Sequence, residues 1–266
     1  MKIGPTQIVL GEWSLDDTLT MCQEAGYNAL ELMFAADGDP DIAMSDDELL
    51  AVRKKCDGAD VEVTSCITRS ANPGNLLSRN TANRELGKKD LVRAIEIAHV
   101  IKAGAVLLHP GQLTPEGTYN EAWDGMLGVI REIAPLAESK QVAVGIENVW
   151  NKFLLSPREM VEFIDTVDSP WIGAYLDTAN MMLYGFPEHW IPGLGQRIKR
   201  VHFKDFVRKD HQFVPLMDGD TDWPTVMQQL RTIGYDSSLI HEVAGDRELQ
   251  IEMAKRMKKI MLASHL

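Results

Sequence analysis

The sequence predicts a (β/α)8 barrel, and three observations carry that expectation. Four apolar, β-branched segments each end on a residue able to hold a divalent metal: VAVGIEN (Glu147), IGAYLDTAN (Asp177), IKRVHFKD (His202) and SSLIHEV (Glu242). These residues stand 30, 25 and 40 positions apart, and 266 residues over eight units gives about 33 per unit, the length of one strand–helix repeat in a barrel whose strands all end at one face. Short apolar runs alternate with helical stretches nearly throughout, with no linker, low-complexity tract or break in composition. A single domain over 1–266 is expected.

The elements follow in order. Candidate strands are KIGPTQIVL, NALELMF, VEVTSCI, AVLLHPG, QVAVGIENV, IGAYLDTA, IKRVHFKD and SSLIHEV, several of them near-continuous apolar runs as parallel strands covered on both faces require. Between them helical patterns run over Ser14–Ala25, Ser45–Asp57, Asn80–Ala103, Asn120–Ser139, Ser156–Val167, a short piece near Pro187–Gly195, and Asp222–Ile233, with a last helix over Asp246–Leu262. Ser14, Ser45, Asn120 and Ser156 sit where N-caps belong, and Pro157 occupies a first helical position. Gly26, Gly104 and Gly234 follow last helical turns and read as stops. A doubly wound sheet is the rival, but neither a GxGxxG nor a GxxxxGK[ST] phosphate loop is present.

Composition narrows the function. With 45% hydrophobic and 25% charged residues the chain reads as a soluble globular protein large enough to bury a sizeable core. The net charge of −12 opposes a polyanionic partner such as DNA, which needs a basic footprint. It leaves open a small phosphorylated substrate held by a local positive rim. The N-terminus lacks the apolar core and cleavage site of a secretory signal, and no stretch is long and apolar enough for a membrane span. Cys22, Cys56 and Cys66 are odd in number and form no CxxC pair, so neither a disulfide framework nor a cysteine zinc site is favoured. A cytoplasmic location is expected.

Barrel active sites are built from strand C-termini and the loops that follow. Three carboxylates and one imidazole, with no thiolate, form a hard site suited to one Mn²⁺, Mg²⁺ or Co²⁺ ion, with Zn²⁺ also compatible. Four protein ligands on a six-coordinate ion leave two positions for adjacent substrate oxygens, such as the carbonyl and hydroxyl of a ketose. Glu147 and Glu242, on the fifth and eighth strands, suit removal and return of a proton from two faces, provided each keeps its second oxygen free.

Taken together, ENVWNKFLLSP, LDTAN, VHFKD with Arg208 six residues beyond His202, and the final HEV resemble the xylose isomerase-like TIM-barrel superfamily. The sugar-phosphate isomerase/epimerase group, with its ketose 3-epimerases and L-xylulose-5-phosphate 3-epimerase-like proteins, is the branch most similar. The resemblance spans essentially the whole chain and is strongest from His109 to Glu242. It implies Glu147, Asp177, His202 and Glu242 as metal ligands and Glu147 and Glu242 as the acid/base pair. It assigns Arg208 to a substrate oxygen and matches His109 to a strand-four histidine found in many members. It further implies a small sugar or sugar-phosphate substrate, no nucleic acid or membrane partner, and a homo-oligomer, dimer or tetramer. Two positions depart from the epimerase pattern: Asn180 stands where a histidine is frequent, and Phe153 where a glutamate is, so the family's sugar preference does not transfer.

Several residues keep two readings. Lys204 lies on the same side of its strand as His202 and meets either an anion or a carboxylate partner. Trp13 offers an aromatic wall for a sugar or packs at the rim, and Glu31 bonds a hydroxyl or pairs with a neighbouring strand. His109, before Pro-Gly at a strand end, faces the mouth or sits in the core bonded to a backbone carbonyl, the first being favoured by the Pro-Gly. His241 alternates away from Glu242 and packs against a helix, and His189 and Met181–Met182 read as structural. For a phosphorylated substrate, Lys152, Lys204 and Arg208 are the rim cations within reach, with Arg208 first for its bidentate fork.

Three other activities compete. An inosose dehydratase-type lyase would use the same metal and a base to eliminate water. An endonuclease IV-like hydrolase needs three zinc ions and more histidines than Asn180, the Cys66 strand end and the stretch between Arg208 and Glu242 provide. A barrel that only binds sugar would not need the complete ligand set.

Overall fold

In the computed structural model, which describes residues 1–263, eight parallel strands form one sheet curled into a barrel. They are β1 (Ile3–Pro5), β2 (Ala29–Ala35), β3 (Glu62–Arg69), β4 (Ala105–Leu108), β5 (Ala143–Glu147), β6 (Ile172–Asp177), β7 (Ile198–Phe203) and, after a two-stranded hairpin of β8 (Asp205–Val207) and β9 (Gln212–Val214), β10 (Leu239–His241). The strand order is β1-β10-β7-β6-β5-β4-β3-β2, and a single parallel bridge, Thr6 to Glu31, joins the two ends of the sheet. Gly4 lies at that closure: a Cβ there would fall 1.8 Å from the Ala29 carbonyl oxygen, so β1 and β2 meet only because no side chain intervenes.

Helices α1 (Leu15–Ala25), α2 (Asp46–Gly58), α3 (Thr81–Ile101), α4 (Tyr119–Lys140), α5 (Pro157–Val167), α6 (Pro187–Leu194), α7 (Trp223–Thr232) and α8 (Arg247–Leu262) form the outer layer. Their starts follow local chemistry. Ser14 Oγ accepts from Asp17 N, Ser156 Oγ from Glu159 N with Pro157 at the first helical turn, and Asp246 Oδ1 from Leu249 N. Ser45 N donates to Glu48 Oε2 at 2.7 Å, one half of a capping box. The apolar face of each helix packs on the outward side chains of the strands, so β4, β5 and β6 are buried along their whole length.

Three local expectations are corrected. The cap of α4 is Thr118 and not Asn120: Thr118 Oγ1 accepts from Glu121 N at 3.2 Å and Thr118 N donates to Glu121 Oε2 at 2.7 Å. A Thr-x-x-Glu box satisfies two end groups at once, which Asn120 inside the first turn cannot. The left-handed stop of α3 is Lys102 (φ 57°), two residues before Gly104; Gly104 serves instead to admit Arg200, whose Nη2 a Cβ would meet at 2.6 Å. The first strand is shorter than KIGPTQIVL, because after Pro5 the chain turns into a 3-10 segment, Gln7–Val9, with Thr6 Oγ1 accepting from Ile8 N. Gln7 then takes over the ladder with its side chain, accepting from Met33 N and donating to the Asp39 carbonyl.

Cys22, Cys56 and Cys66 are buried free thiols on or beneath this helical layer. Burial pushes Cys22 up to about 12 and Cys56 up to about 11, and raises Cys66 as well. A disulfide-exchange reagent should therefore find no reactive thiol in the native protein at mildly alkaline pH and three after denaturation; rapid labelling of the native state would contradict this burial. Among the described residues no helix is long and apolar enough to cross a membrane.

Candidate metal centre and its cavity

The strand ends deliver the four expected ligands to one place. One ligand atom from each of Glu147, Asp177, His202 and Glu242 lies within 4.8 Å of the others. Glu147 closes β5, Asp177 closes β6, His202 is the penultimate residue of β7, and Glu242 follows β10 directly. Strand register aligns them: Asp177 pairs with His202 across β6 and β7, and Ile240 pairs with His202 across β10 and β7.

Two buried atoms in this cluster have no hydrogen-bond partner, Asp177 Oδ2 and His202 Nδ1. Buried polar atoms left unpaired are costly, and here the two belong to the same cluster of candidate ligands. The surroundings enforce that arrangement. Asp177 Oδ1 is occupied by Ala179 N (2.8 Å) and Asn180 N (2.6 Å), which leaves Oδ2 over. Asn148 holds the Asp177 backbone from both sides, its Oδ1 accepting from Asp177 N and its Nδ2 donating to Asp177 O. Asn180 also brings its Nδ2 to 3.5 Å from Glu147 Oε1.

His202 is oriented by Glu31, whose Oε1 accepts from His202 Nε2 at 2.9 Å. Glu31 is fully buried and also accepts from Tyr175 Oη (2.6 Å) and Ser65 Oγ (2.8 Å). Burial pushes the Glu31 carboxyl up, but His202, Tyr175 and Thr6 outweigh that and hold it below the ordinary carboxylate value. An ionised Glu31 accepts only, so the Nε2 proton is fixed and Nδ1 is the nitrogen turned to the cluster. Nδ1 stands 3.7 Å from both Glu147 Oε1 and Glu242 Oε2, outside hydrogen-bond range.

Electrostatics point the same way. Burial pushes Asp177 up to about 7, with Glu242 and Glu147 adding to the rise and Lys204 and His202 opposing it. Burial pulls the His202 imidazole down, but Glu31, Glu147 and Glu242 more than reverse it, and its pKa lies well above the usual histidine value. A field that favours an extra proton at this position favours a cation there for the same reason. Outside the Glu31–His202 pair, three carboxylates face one ammonium, Lys204, a surplus of two negative charges that a divalent cation matches. Hard oxygen donors with one imidazole fit a divalent ion of the Mn²⁺, Mg²⁺ or Co²⁺ kind.

The centre opens into a cavity of about 570 Å³ whose lining includes Glu147, Glu242, Asn180, Lys204 and His109, within the usual range for small-molecule sites. Lys204 Nζ bonds Glu242 Oε2 at 3.0 Å and sits 4.2 Å from the centre of the Phe213 ring. Burial lowers its pKa, but Asp177, Glu242 and Glu147 raise it further, so it remains an ammonium. His109 is exposed at the mouth, its Nδ1 accepting from Gly111 N.

Two expected substrate residues lie outside this lining. Arg208 donates from Nη1 to the Met182 and Gly185 carbonyls at 2.6 and 2.9 Å and stacks 4.2 Å above Phe186. Trp13 packs against the core at the rim. Lys152 lines a neighbouring, mainly apolar groove with Trp150, Leu155, Tyr184 and Trp190. Phe153 enters an aromatic cluster with Tyr119, Trp123 and Phe163, which explains why no carboxylate stands at this position. His241 is buried and bonds Tyr27 Oη at 2.8 Å; burial pulls its pKa down to about 3, so it stays neutral and packs away from the centre.

The sequence profile of the xylose isomerase-like TIM barrel matches residues 19–260. The chain belongs to that family. The uncharacterized protein MJ1311 of Methanocaldococcus jannaschii is 25% identical over 245 residues, covering 89% of this chain and 81% of the other. Among solved structures, a D-tagatose 3-epimerase-like protein superposes with a TM-score of 0.84 at 22% identity, covering 98% of this chain and 97% of that one. D-psicose 3-epimerase from Clostridium cellulolyticum H10 gives 0.82 at 17% identity over 100% of both chains, and an L-ribulose 3-epimerase 0.81 at 20% over 98% and 93%. At these identities the xylose isomerase-like fold is what is shared.

Sequence reading did not assign Asn148, Tyr175 or Ser65, and for Glu31 it left two readings open, a hydroxyl contact or pairing with a neighbouring strand. Asn148 and Tyr175 carry no signal beyond their neighbours, and Ser65 is one polar residue in an apolar strand. Glu31, a lone acid inside NALELMF, is the residue whose signal was readable, since a buried carboxylate demands a partner. Asp205 holds the loop after β9, accepting from Met217 N, Thr221 Oγ1 and Trp223 Nε1.

Proposed function

We propose that the protein is a divalent-metal-dependent isomerase or epimerase of a ketose or ketose phosphate. The observation that carries this reading is the pair Glu147 and Glu242 flanking the unpaired atoms of Asp177 and His202 at the floor of the cavity. Similarity to ketose 3-epimerase structures supports the choice of substrate class.

A divalent ion held by Glu147, Asp177, His202 and Glu242 would supply Lewis-acid polarisation of a carbonyl oxygen. The chain's own residues do the rest. No hydrogen bond among the described residues engages Glu147 Oε2 or Glu242 Oε1, so each carboxylate keeps an oxygen free for a proton. One carboxylate removes the proton from the carbon beside the carbonyl, and the electron pair moves onto the carbonyl oxygen. The other returns a proton from the opposite face as the carbonyl reforms, which inverts that carbon; if the hydroxyl proton of that carbon first passes to the former carbonyl oxygen, return to the former carbonyl carbon isomerises the sugar instead. Lys204 stays protonated beside Glu242 and offsets negative charge gathering there. Asn180 and His109 line the walls where sugar hydroxyls would bond.

The test is a screen of ketoses and ketose phosphates in deuterated water with Mn²⁺, Mg²⁺ or Co²⁺ added after chelation. Deuterium should enter the carbon next to the carbonyl in the loaded protein and not in the chelated one. A product lighter by one water would assign the chemistry to a lyase, and exchange that survives complete chelation would remove the metal from the reading.

A further inference from the structure

We propose that the cavity has a second, oxyanion-binding end formed by Arg69 with His109, and that the substrate is a ketose carrying a terminal phosphate or carboxylate. This rests on the epimerase or isomerase reading of the metal centre. In an eight-strand ring, β3 lies directly opposite β7 and β4 directly opposite β10. Arg69 ends β3 and His109 follows β4, so they stand across the mouth from His202 and Glu242, and both line the same cavity as Glu147 and Glu242.

The decisive property of Arg69 is that its guanidinium is exposed and makes no hydrogen bond or ion pair with any described residue. Two of the other cations in reach are committed, and the third belongs to a different cavity. Lys204 is paired with Glu242, and Arg208 is spent on two backbone carbonyls. Lys152 lines the neighbouring groove. The carboxylate on the Arg69 side of the cavity, Asp90, does not capture it. Asp90 Oδ2 accepts from Ser70 Oγ at 3.1 Å and Gly74 N at 3.3 Å, while its carbonyl takes Thr68 Oγ1.

That loop is built to stay in place. Gly74 rests on Gly87 of α3 so closely that a Cβ on Gly74 would fall 1.8 Å from Gly87 N. A free planar fork on a fixed wall, opposite the site that holds the reacting oxygens, is suited to bidentate contact with a tetrahedral or planar oxyanion. The cavity of about 570 Å³ contains both ends, with Arg69 and His109 lining it along with Glu147 and Glu242. A chain with net charge −12 gains a phosphate site only through such a local cation.

The experiment compares matched substrates, D-fructose with D-fructose 6-phosphate, D-ribulose with D-ribulose 5-phosphate, and D-fructuronate for the carboxylate arm. Metal-loaded wild type, Arg69→Ala, Arg69→Lys and Lys152→Ala are assayed by deuterium exchange and by calorimetric binding. Arg69→Ala should raise KM and Kd for the phosphorylated or carboxylated sugar about 10- to 100-fold, with a much smaller change for the neutral sugar and in kcat. Arg69→Lys should recover part of the loss. The arm that responds identifies phosphate or carboxylate as the oxyanion. An equal preference for charged and neutral sugars in wild type, an Arg69→Ala ratio unchanged from wild type, or transfer of the effect to Lys152→Ala would overturn the proposal. If no sugar exchanges deuterium, the reading of the metal centre fails, and the calorimetric arm still decides whether Arg69 binds the oxyanion.

Discussion

Glu147→Gln and Glu242→Gln should each lower turnover by about a thousand-fold or more while leaving the barrel folded, because each removes a metal-facing charge and a proton acceptor at once. The folding cost is small in both cases. Glu147 has one weak neighbour, Asn180 Nδ2 at 3.5 Å, and an amide oxygen can still meet it. Glu242 is part-buried, and its amide can still accept from Lys204 Nζ. Two readouts separate metal loss from base loss: Mn²⁺ affinity by calorimetry, and deuterium exchange at saturating metal. Exchange near wild-type rates in either variant would take that residue out of the proton transfer.

Replacing Glu31 should have the second largest effect, on metal affinity and on stability together. Glu31→Ala leaves three buried donors, His202 Nε2–H, Tyr175 O–H and Ser65 O–H, without their acceptor. Such a loss costs about 3–5 kcal/mol when a buried charged partner is removed. Glu31→Gln is the sharper variant, since it nearly preserves volume but places an amide N–H among donors. His202 then gains most by taking its proton at Nδ1, the atom turned to the metal position. We expect Mn²⁺ affinity to fall about 10- to 100-fold in Glu31→Gln, the range for partners that orient metal-binding histidines. Chemical denaturation of the metal-free protein reads the stability loss separately. Unchanged Mn²⁺ affinity in Glu31→Gln would show that His202 does not depend on this contact.

How much was legible follows from the range over which each signal acts. The strands that end in Glu147, Asp177, His202 and Glu242 were readable because an apolar run terminated by a ligand is a local pattern, and the repeat of about 33 residues brings such ends to one face. Caps at Ser14, Ser45 and Ser156 were readable for the same reason. The hairpin of β8 and β9 was not, since Phe203 to Asp205 looks continuous until Thr178 Oγ1, twenty-six residues back, accepts from Lys204 N and donates to the Lys204 carbonyl. Arg208 shows the limit clearly. Six residues past His202, it had the right chemistry for a substrate oxygen, yet the carbonyls of Met182 and Gly185 reach its guanidinium in the folded chain.

What the sequence by itself determined is the barrel and the four hard donors that could hold a metal, because periodicity and residue type act along the chain. Only the tertiary structure decided which nitrogen of His202 faces the centre, that Lys204 and Arg208 are paired, and that Glu31 holds the imidazole. Those outcomes depend on competition between hydrogen-bond partners far apart in sequence: Glu31 meets His202 across 171 residues and Tyr175 across 144. A local pattern can nominate a donor or an acceptor, but only closure of the barrel brings the competing partners into range.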